Sequence, residues 1–351
     1  MVKRALAVFV LLIMFSSSDA NAGTGLFGHI PFLSGGSCGE GCAVDGICGE
    51  TCTDPGDGCC DLLSDSCGES CGAGCTDLFG GLGSIGSCIK PSDHCFDSFI
   101  SPITNPVFFE DPRTLTEARL IFAHHTLPNS LGAGSAQLYA MQIRAAISEN
   151  VSIIATKDGF LVTDNPLLRD GWADIAAGLK VNLYRDVASQ TLFSVGATYE
   201  APWGSRKALQ GNGDGEFHIF GTGGTTIMDD YHLLSGLGFR LPVDRAAEST
   251  SMYWSNHIDR RIGNGPFYLL GECNWYHWLS SGSAFPLAVE GVDIINLGSQ
   301  GVAGHDIVTA AIGVKYKPSG NTEVGVAWEA PLTDRRDIFD DRLTVDWIIR
   351  Y

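Results

Sequence analysis

Past its first two dozen residues, the 351-residue chain has no apolar run of 18 residues, which excludes membrane-spanning helices. Basic residues are scarce: 22 Lys and Arg stand against 40 Asp and Glu, for a formal charge of −18. The deficit is shared, with net −10 over residues 23–106 and net −9 over residues 107–351. That balance argues against nucleic acid or anionic lipid headgroups as the main partner. Cysteine is nearly missing from the last 256 residues, where Cys273 is the single example. No Cys-x-x-Cys-His occurs, so haem attachment has no support and no cofactor is expected.

What is present begins with an export leader. Lys3 and Arg4 form a positive start, Ala5 to Phe15 an apolar stretch too short to span, and Ala20-Asn21-Ala22 a small-residue cleavage site. No cysteine follows the apolar stretch closely, so a lipoprotein anchor is not indicated. Export places the remaining cysteines in an oxidising compartment. Eleven of them crowd into one segment: Cys38, Cys42, Cys48, Cys52, Cys59, Cys60, Cys67, Cys71, Cys75, Cys88 and Cys95. Several sit in a near-repeat, Cys-Gly-Glu-x-Cys, starting at Cys38, Cys48 and Cys67. Disulfide staples are the first reading, because short Gly-rich loops with few apolar residues cannot build a core. A zinc site is the alternative, although His94 is the only nearby imidazole in the cysteine cluster. Eleven is odd, which leaves one thiol free or linked between molecules. Pro102 and Pro106 read as a linker, giving residues 1–22 as leader, 23–106 as a Cys/Gly-rich periplasmic segment and 107–351 as a second domain.

From about residue 115 the texture becomes twelve segments of 9–14 residues, apolar and polar in alternation, divided by Gly, Pro, Asn, Asp and Ser. Each has the length of a tilted transmembrane strand. In 305–317, Val308, Ala310, Ile312, Val314 and Tyr316 oppose Thr309, Ala311, Gly313, Lys315 and Lys317. In 172–185, Ile175, Ala177, Leu179, Val181 and Leu183 oppose Asp174, Lys180, Asn182 and Tyr184. A soluble sandwich also alternates, so other signs must decide. Trp328, Tyr316, Tyr199, Trp254 and Trp347 fall on apolar faces, several towards strand ends, where interfacial girdles sit. Connections after segments 2, 4 and 10 are short and those after 3, 5, 9 and 11 long, as in a meander with both termini periplasmic. Between segments 6 and 9 the lengths are similar and this sign fades.

The last segment carries Leu343, Val345, Trp347, Ile349 and a terminal Tyr351 on one face. With the leader, this resembles the insertion signal of the Gram-negative outer-membrane β-barrel family. The resemblance covers the chain from the first segment to the end. It implies an all-β fold, a closed antiparallel barrel of about twelve strands, placed in the bacterial outer membrane among its lipids by the barrel-assembly machinery. Members commonly serve as porins, selective channels, adhesins or barrel enzymes.

On that reading the lumen is lined by Arg119, Arg144, Asp174, Lys180, Glu200, His218, His232, Arg240, His257, Asp259, Glu272, Lys315, Glu323, Glu329, Arg342, Asp346 and Arg350. Opposite charges on neighbouring strands can fill a narrow barrel by pairing, or their walls can tune the passage of a small solute. Twelve strands give a lumen between the side-chain-filled eight-stranded barrels and the open porins. The working function is passage of small solutes. One rival is a non-transporting barrel that anchors the Cys-rich segment. Another is a hydrolase, since Asp230-Tyr231-His232 places a carboxylate and an imidazole two residues apart, and Ser235 and Ser255 lie near His232 and His257. Metal ligation by His218, His232 and His257 cannot be judged from spacing, and no metal site is assigned.

Overall fold

The computed structural model describes residues 89–228 and 230–351; the leader and Cys38 to Cys88 lie outside the described residues. Twelve antiparallel strands follow in chain order. They are β1 (Glu117–Thr126), β2 (Ser135–Ala146), β3 (Val151–Lys157, continued by Phe160–Thr163), β4 (Ile175–Asp186, preceded by Gly171–Trp172), β5 (Thr191–Ala201) and β6 (Glu216–Ile227). The second half is β7 (Tyr231–Pro242), β8 (Thr250–Arg261), β9 (Phe267–Ser280), β10 (Asp306–Ser319), β11 (Thr322–Pro331) and β12 (Asp341–Arg350). Each of the twelve corresponds to one segment read from the sequence. Every strand pairs with its chain neighbours, and β12 returns to β1 in a continuous ladder from Glu117↔Arg350 to Thr126↔Asp341. The sheet therefore closes and has no edge.

Burial is inverted relative to a soluble protein. Leu179, Ile219, Ile312, Val326, Trp328, Leu343, Trp347 and Ile349 are exposed, while Arg119, Arg144, Lys180, Lys315, Glu323, Glu329 and Arg342 are buried. Charged residues are almost never fully buried in water-soluble folds without a reason of this kind. An apolar outside around a polar inside is the arrangement that hydrocarbon demands. This is a β-barrel of the outer-membrane type. Cys273, with a free thiol, lies on the outer face of β9 as the alternation requires.

The connections now separate cleanly. Those after even-numbered strands, at 147–150, 187–190, 228–230, 262–266 and 320–321, are all turns of two to five residues. Those after odd-numbered strands are all longer, up to 281–305. Strands 6 to 9 blurred this in the sequence because β6 runs to Ile227, four residues further than its alternation shows. Strand β3 is interrupted at Asp158-Gly159. Gly159 has φ +120°, and a Cβ there would lie 2.6 Å from the Tyr139 carbonyl oxygen. The Asp158 carboxylate takes the Met141 N–H at 2.8 Å in place of a ladder bond.

One expectation fails. Residues 102–106 are no linker: Ile103, Thr104 and Asn105 are fully buried. The proposed boundary between residues 106 and 107 cuts through a segment lodged inside the barrel. Pro102 and Pro106 suit an irregular buried insertion as well as a linker, since neither has a ladder for proline to interrupt.

Two tests follow from this architecture. Ile312→Arg, in the middle of the outer face of β10, is expected to cost about 2–4 kcal/mol in a folding titration into bilayers. A chain starting at residue 89 is expected to give a heat-modifiable barrel on a gel. One starting at residue 107 loses Phe96, Phe99, Ile100 and Ile103 and should unfold at lower denaturant; equal midpoints would contradict the placement of that segment.

Candidate functional site

The inserted segment enters and leaves at the short-turn end. Lys90 N–H donates to Ala146 O at 2.8 Å and Ser92 N–H to Tyr351 O at 2.6 Å. The Asp93 carboxylate accepts the Cys95 N–H at the start of a 3-10 turn, His94–Phe96. Asp93 N–H donates to Thr114 O at 2.9 Å, so the two legs of the segment are clasped where they meet the rim. Between them the chain climbs to Phe108 and returns. Phe96, Phe99, Ile100, Ile103, Phe108 and Phe109 are each at most 2 % exposed. Lumen-facing glycines make the room. A Cβ at Gly236 would meet the Phe109 ring at 2.9 Å, one at Gly325 would meet Ile103 at 2.7 Å, and one at Gly224 would meet Phe99 at 3.2 Å.

With little regular structure of its own, this backbone depends on the wall for hydrogen bonds. Glu272 accepts from Ile103 N–H at 2.8 Å and Thr104 N–H at 2.6 Å, and Glu323 accepts from Ser101 N–H at 3.1 Å. Arg119 donates to Pro102 O at 2.7 Å, Lys315 to Ser101 O at 2.7 Å and Lys317 to Phe99 O at 2.7 Å. Tyr253 donates to Phe108 O at 2.6 Å, Thr222 to Glu110 O at 2.8 Å and Ser194 to Pro112 O at 2.6 Å. Charged contacts finish the attachment, with Arg185 on Asp93 at 2.8 Å at the rim. Glu110 sits between Arg144 at 2.6 Å and Lys180 at 2.9 Å, and Arg113, paired with Asp111 at 2.7 Å, lies 3.9 Å from Glu323.

The wall also pairs with itself. Asp346 meets Arg119 at 2.8 Å and Lys315 at 3.1 Å; Arg350 meets Glu117 at 2.8 Å and Glu323 at 2.6 Å. Arg342 holds Glu329 at 2.8 Å, Arg240 bonds Glu216 at 2.6 Å, and Lys157 bonds Glu200. His257 lies between Glu272 at 2.7 Å and Asp259 at 3.0 Å, and Asp259 also meets His232 at 2.8 Å. His218 stands apart, 3.0 Å from the Tyr253 hydroxyl. Asp174 is buried elsewhere: its carboxylate accepts Gly204 and Gly211 N–H groups at 2.7 and 2.9 Å and clamps connection 202–215.

From the opposite end, connection 281–305 folds inward. Asp293 meets Arg342 at 2.7 Å, Asn296 donates to Glu216 at 3.0 Å, and Ile294, Ile295 and Leu297 pack on Leu138, Leu161 and Leu168. Val292 and Phe108 share one cluster with Tyr253, Tyr276, Trp278 and Phe339, so the two insertions meet within the lumen. Two cavities beside them measure only about 20 and about 10 Å³. Room for one water is the most either offers.

The hydrolase pieces do not assemble. Asp230 is 66 % exposed on a turn near Arg260, while His232 is buried against Asp259. Ser235 faces outward and bonds Asn256 and Trp254; Ser255 bonds the Asn105 side chain. Sequence reasoning missed Glu110, Asp111, Arg113 and Asp293, which lie outside the alternating segments. The available signal was composition: six large apolar residues between Phe96 and Phe109 are too many for a solvated linker.

Glu248, in the connection 243–249, is buried, with one carboxyl oxygen lacking a hydrogen-bond partner among the described residues. Burial, with Glu216 and Glu200 nearby, raises its carboxyl to about 8. A raised carboxyl favours the folded state fully at low pH and loses that contribution as pH climbs from the ordinary carboxylate range through about 8. Stability should therefore fall over this window, and Glu248→Gln should flatten the slope in a pH series of denaturant titrations.

No family model and no curated protein matches the chain. Among solved structures, an outer membrane channel from Pseudomonas putida F1 is 9 % identical, with 72 % of this chain and 100 % of that chain covered at a TM-score of 0.49. The NanC porin is 7 % identical over 67 % of this chain and 99 % of that one, with a TM-score of 0.43. The KdgM porin, in a structure with disordered oligogalacturonate, is 11 % identical over 66 % and 99 %, with a TM-score of 0.39.

Proposed function

We propose that this outer-membrane-type barrel is a channel for small solutes, held shut by residues 89–116 in the form described. One observation carries the reading: the lumen wall is satisfied by its own ion pairs, so removing the segment leaves few charges stranded. Pairs such as Arg119–Asp346, Arg350–Glu117 and Arg342–Glu329 need nothing from the insertion. The ion pairs that must exchange partners for water are Glu110 with Arg144 and Lys180, Arg113 with Glu323, and Asp93 with Arg185 at the rim, along with the wall's hydrogen bonds to the segment's peptide groups. A buried pair broken on one side alone costs about 3–5 kcal/mol, so a wall dependent on its plug would resist opening. The girth of twelve strands then leaves a narrow polar path of mixed sign.

The Cys-rich segment leads directly into this plug at the short-turn end. It lies in the periplasm on this reading, with its cysteines joined in disulfides. The tightness of the lumen favours a second reading, in which the barrel conducts nothing and anchors that segment.

Planar-bilayer conductance separates the two. Wild type should show small, infrequent openings. Glu110→Ala combined with Arg113→Ala should raise open probability about tenfold or more, as loss of roughly 1.4 kcal/mol or more of net closure would give. A heat-modifiable, folded variant that stays silent would favour the anchor.

A further inference from the structure

The outer wall carries one feature that conduction does not use. A groove of about 790 Å³ runs along β1, β2 and β12, with Leu120, Tyr139, Met141 and Trp347 in its lining and Trp172 and Trp203 at its long-loop end. It exists because β3 breaks at Asp158-Gly159, which leaves the outer surface of the sheet short of side chains there. Asp158 is in its lining, and its carboxylate is engaged by the Met141 N–H. Trp172 and Trp203 are 65 % and 75 % exposed. Trp172 also meets Phe160 edge-on at 5.0 Å.

Above the tryptophans stand three exposed bases, Arg169, Arg206 and Lys207. The backbone fixes them on one rim. Arg169 N–H donates to Lys207 O at 3.1 Å and Ser205 N–H to Trp172 O at 2.8 Å. Gly171 permits the contact, since a Cβ there would lie 2.4 Å from that of Ser205. None of the three bases joins an ion pair among the described residues. The adjacent Asp170 carboxylate accepts the Thr163 N–H at 2.9 Å, and Arg206 donates only to Gly211 O at 3.3 Å. Unpaired bases gathered at one spot of a chain with net charge −9 over residues 107–351 are a local reversal of its character.

We propose that rim and groove bind a phosphorylated glycolipid of the outer leaflet, its phosphate on Arg169, Arg206 and Lys207 and an acyl chain along the groove. Guanidinium and ammonium groups are the side chains that hold phosphate. Tryptophans mark the depth at which a headgroup gives way to hydrocarbon. Basic clusters next to a spanning element select anionic lipids. The overall acidity of the chain repels anionic surfaces elsewhere and so confines the lipid to this side of the barrel. The inference needs the long loops to face outward; it does not need the channel to open.

The test uses the full-length mature protein in detergent micelles. Bisphosphorylated lipid A, its dephosphorylated form, phosphatidylglycerol and inorganic phosphate are titrated in turn, with tryptophan fluorescence and native mass spectrometry as readouts. Bisphosphorylated lipid A should bind at least about tenfold more tightly than the dephosphorylated form or phosphatidylglycerol, and inorganic phosphate should not compete at equal concentration. R169E/R206E/K207E, checked for heat-modifiable folding, should lose the preference for phosphate and keep weak binding of both lipids. Trp203→Ala should weaken both lipids alike. Equal binding of the two forms of lipid A by the wild type would overturn the proposal whatever the variants do. So would full competition by inorganic phosphate or parity with phosphatidylglycerol. Retention of the phosphate preference by the folded triple variant would remove the assigned bases.

Discussion

Closure of the sheet through β12 and β1 is the constraint from which the remaining features follow. In hydrocarbon, an unpaired backbone group has no water to turn to, so a spanning sheet must leave none. The ladder from Glu117↔Arg350 to Thr126↔Asp341 meets that demand. It also forces alternate residues of every strand into a confined interior. Once the wall is closed, its inward side chains must pair, and Arg, Lys, Asp and Glu become neighbours across strands because no water is at hand to separate them.

The interior fixed in this way then determines what can enter it. Twelve strands enclose more space than their own side chains fill, and the vacancy is taken by polypeptide from both ends: residues 89–116 below and connection 281–305 above. Both insertions combine apolar packing with polar contacts to the wall, the lower one burying Phe99 and Phe109 beside Leu234 and Ile100 and Ile103 beside Tyr268. The upper one packs apolar residues such as Ile294 and Ile295 on Leu138 and Leu161. The lower one hangs its peptide groups on charged wall residues, among them Glu272, Arg119 and Lys315.

On the outside, the same closure explains the groove. A barrel with regular strands presents a uniform apolar belt, and the break at Asp158-Gly159 is a local exception to it. The exception costs little because Asp158 replaces the missing ladder bond to Met141. The bases near it, contributed by 164–174 and 202–215, come from two connections far apart in sequence from β12, whose Trp347 completes the lining.

The strand number and the faces of the strands were legible in the sequence, because they rest on a two-residue period that each strand expresses alone. The inward set could be named one residue at a time for the same reason, from Arg119 to Arg350. Which of those residues meet could not be named. His232 pairs with Asp259 rather than Asp230, and Asp174 leaves the lumen set to clamp a connection, because partners across a sheet are set by register and by loop paths. The plug was hidden for a deeper reason. Its backbone has no period, and its burial is supplied by strands and connections that come later in the chain. Sequence alone determined that this protein is a barrel; tertiary structure decided that the barrel is filled, since filling depends on the volume left after twelve strands have closed.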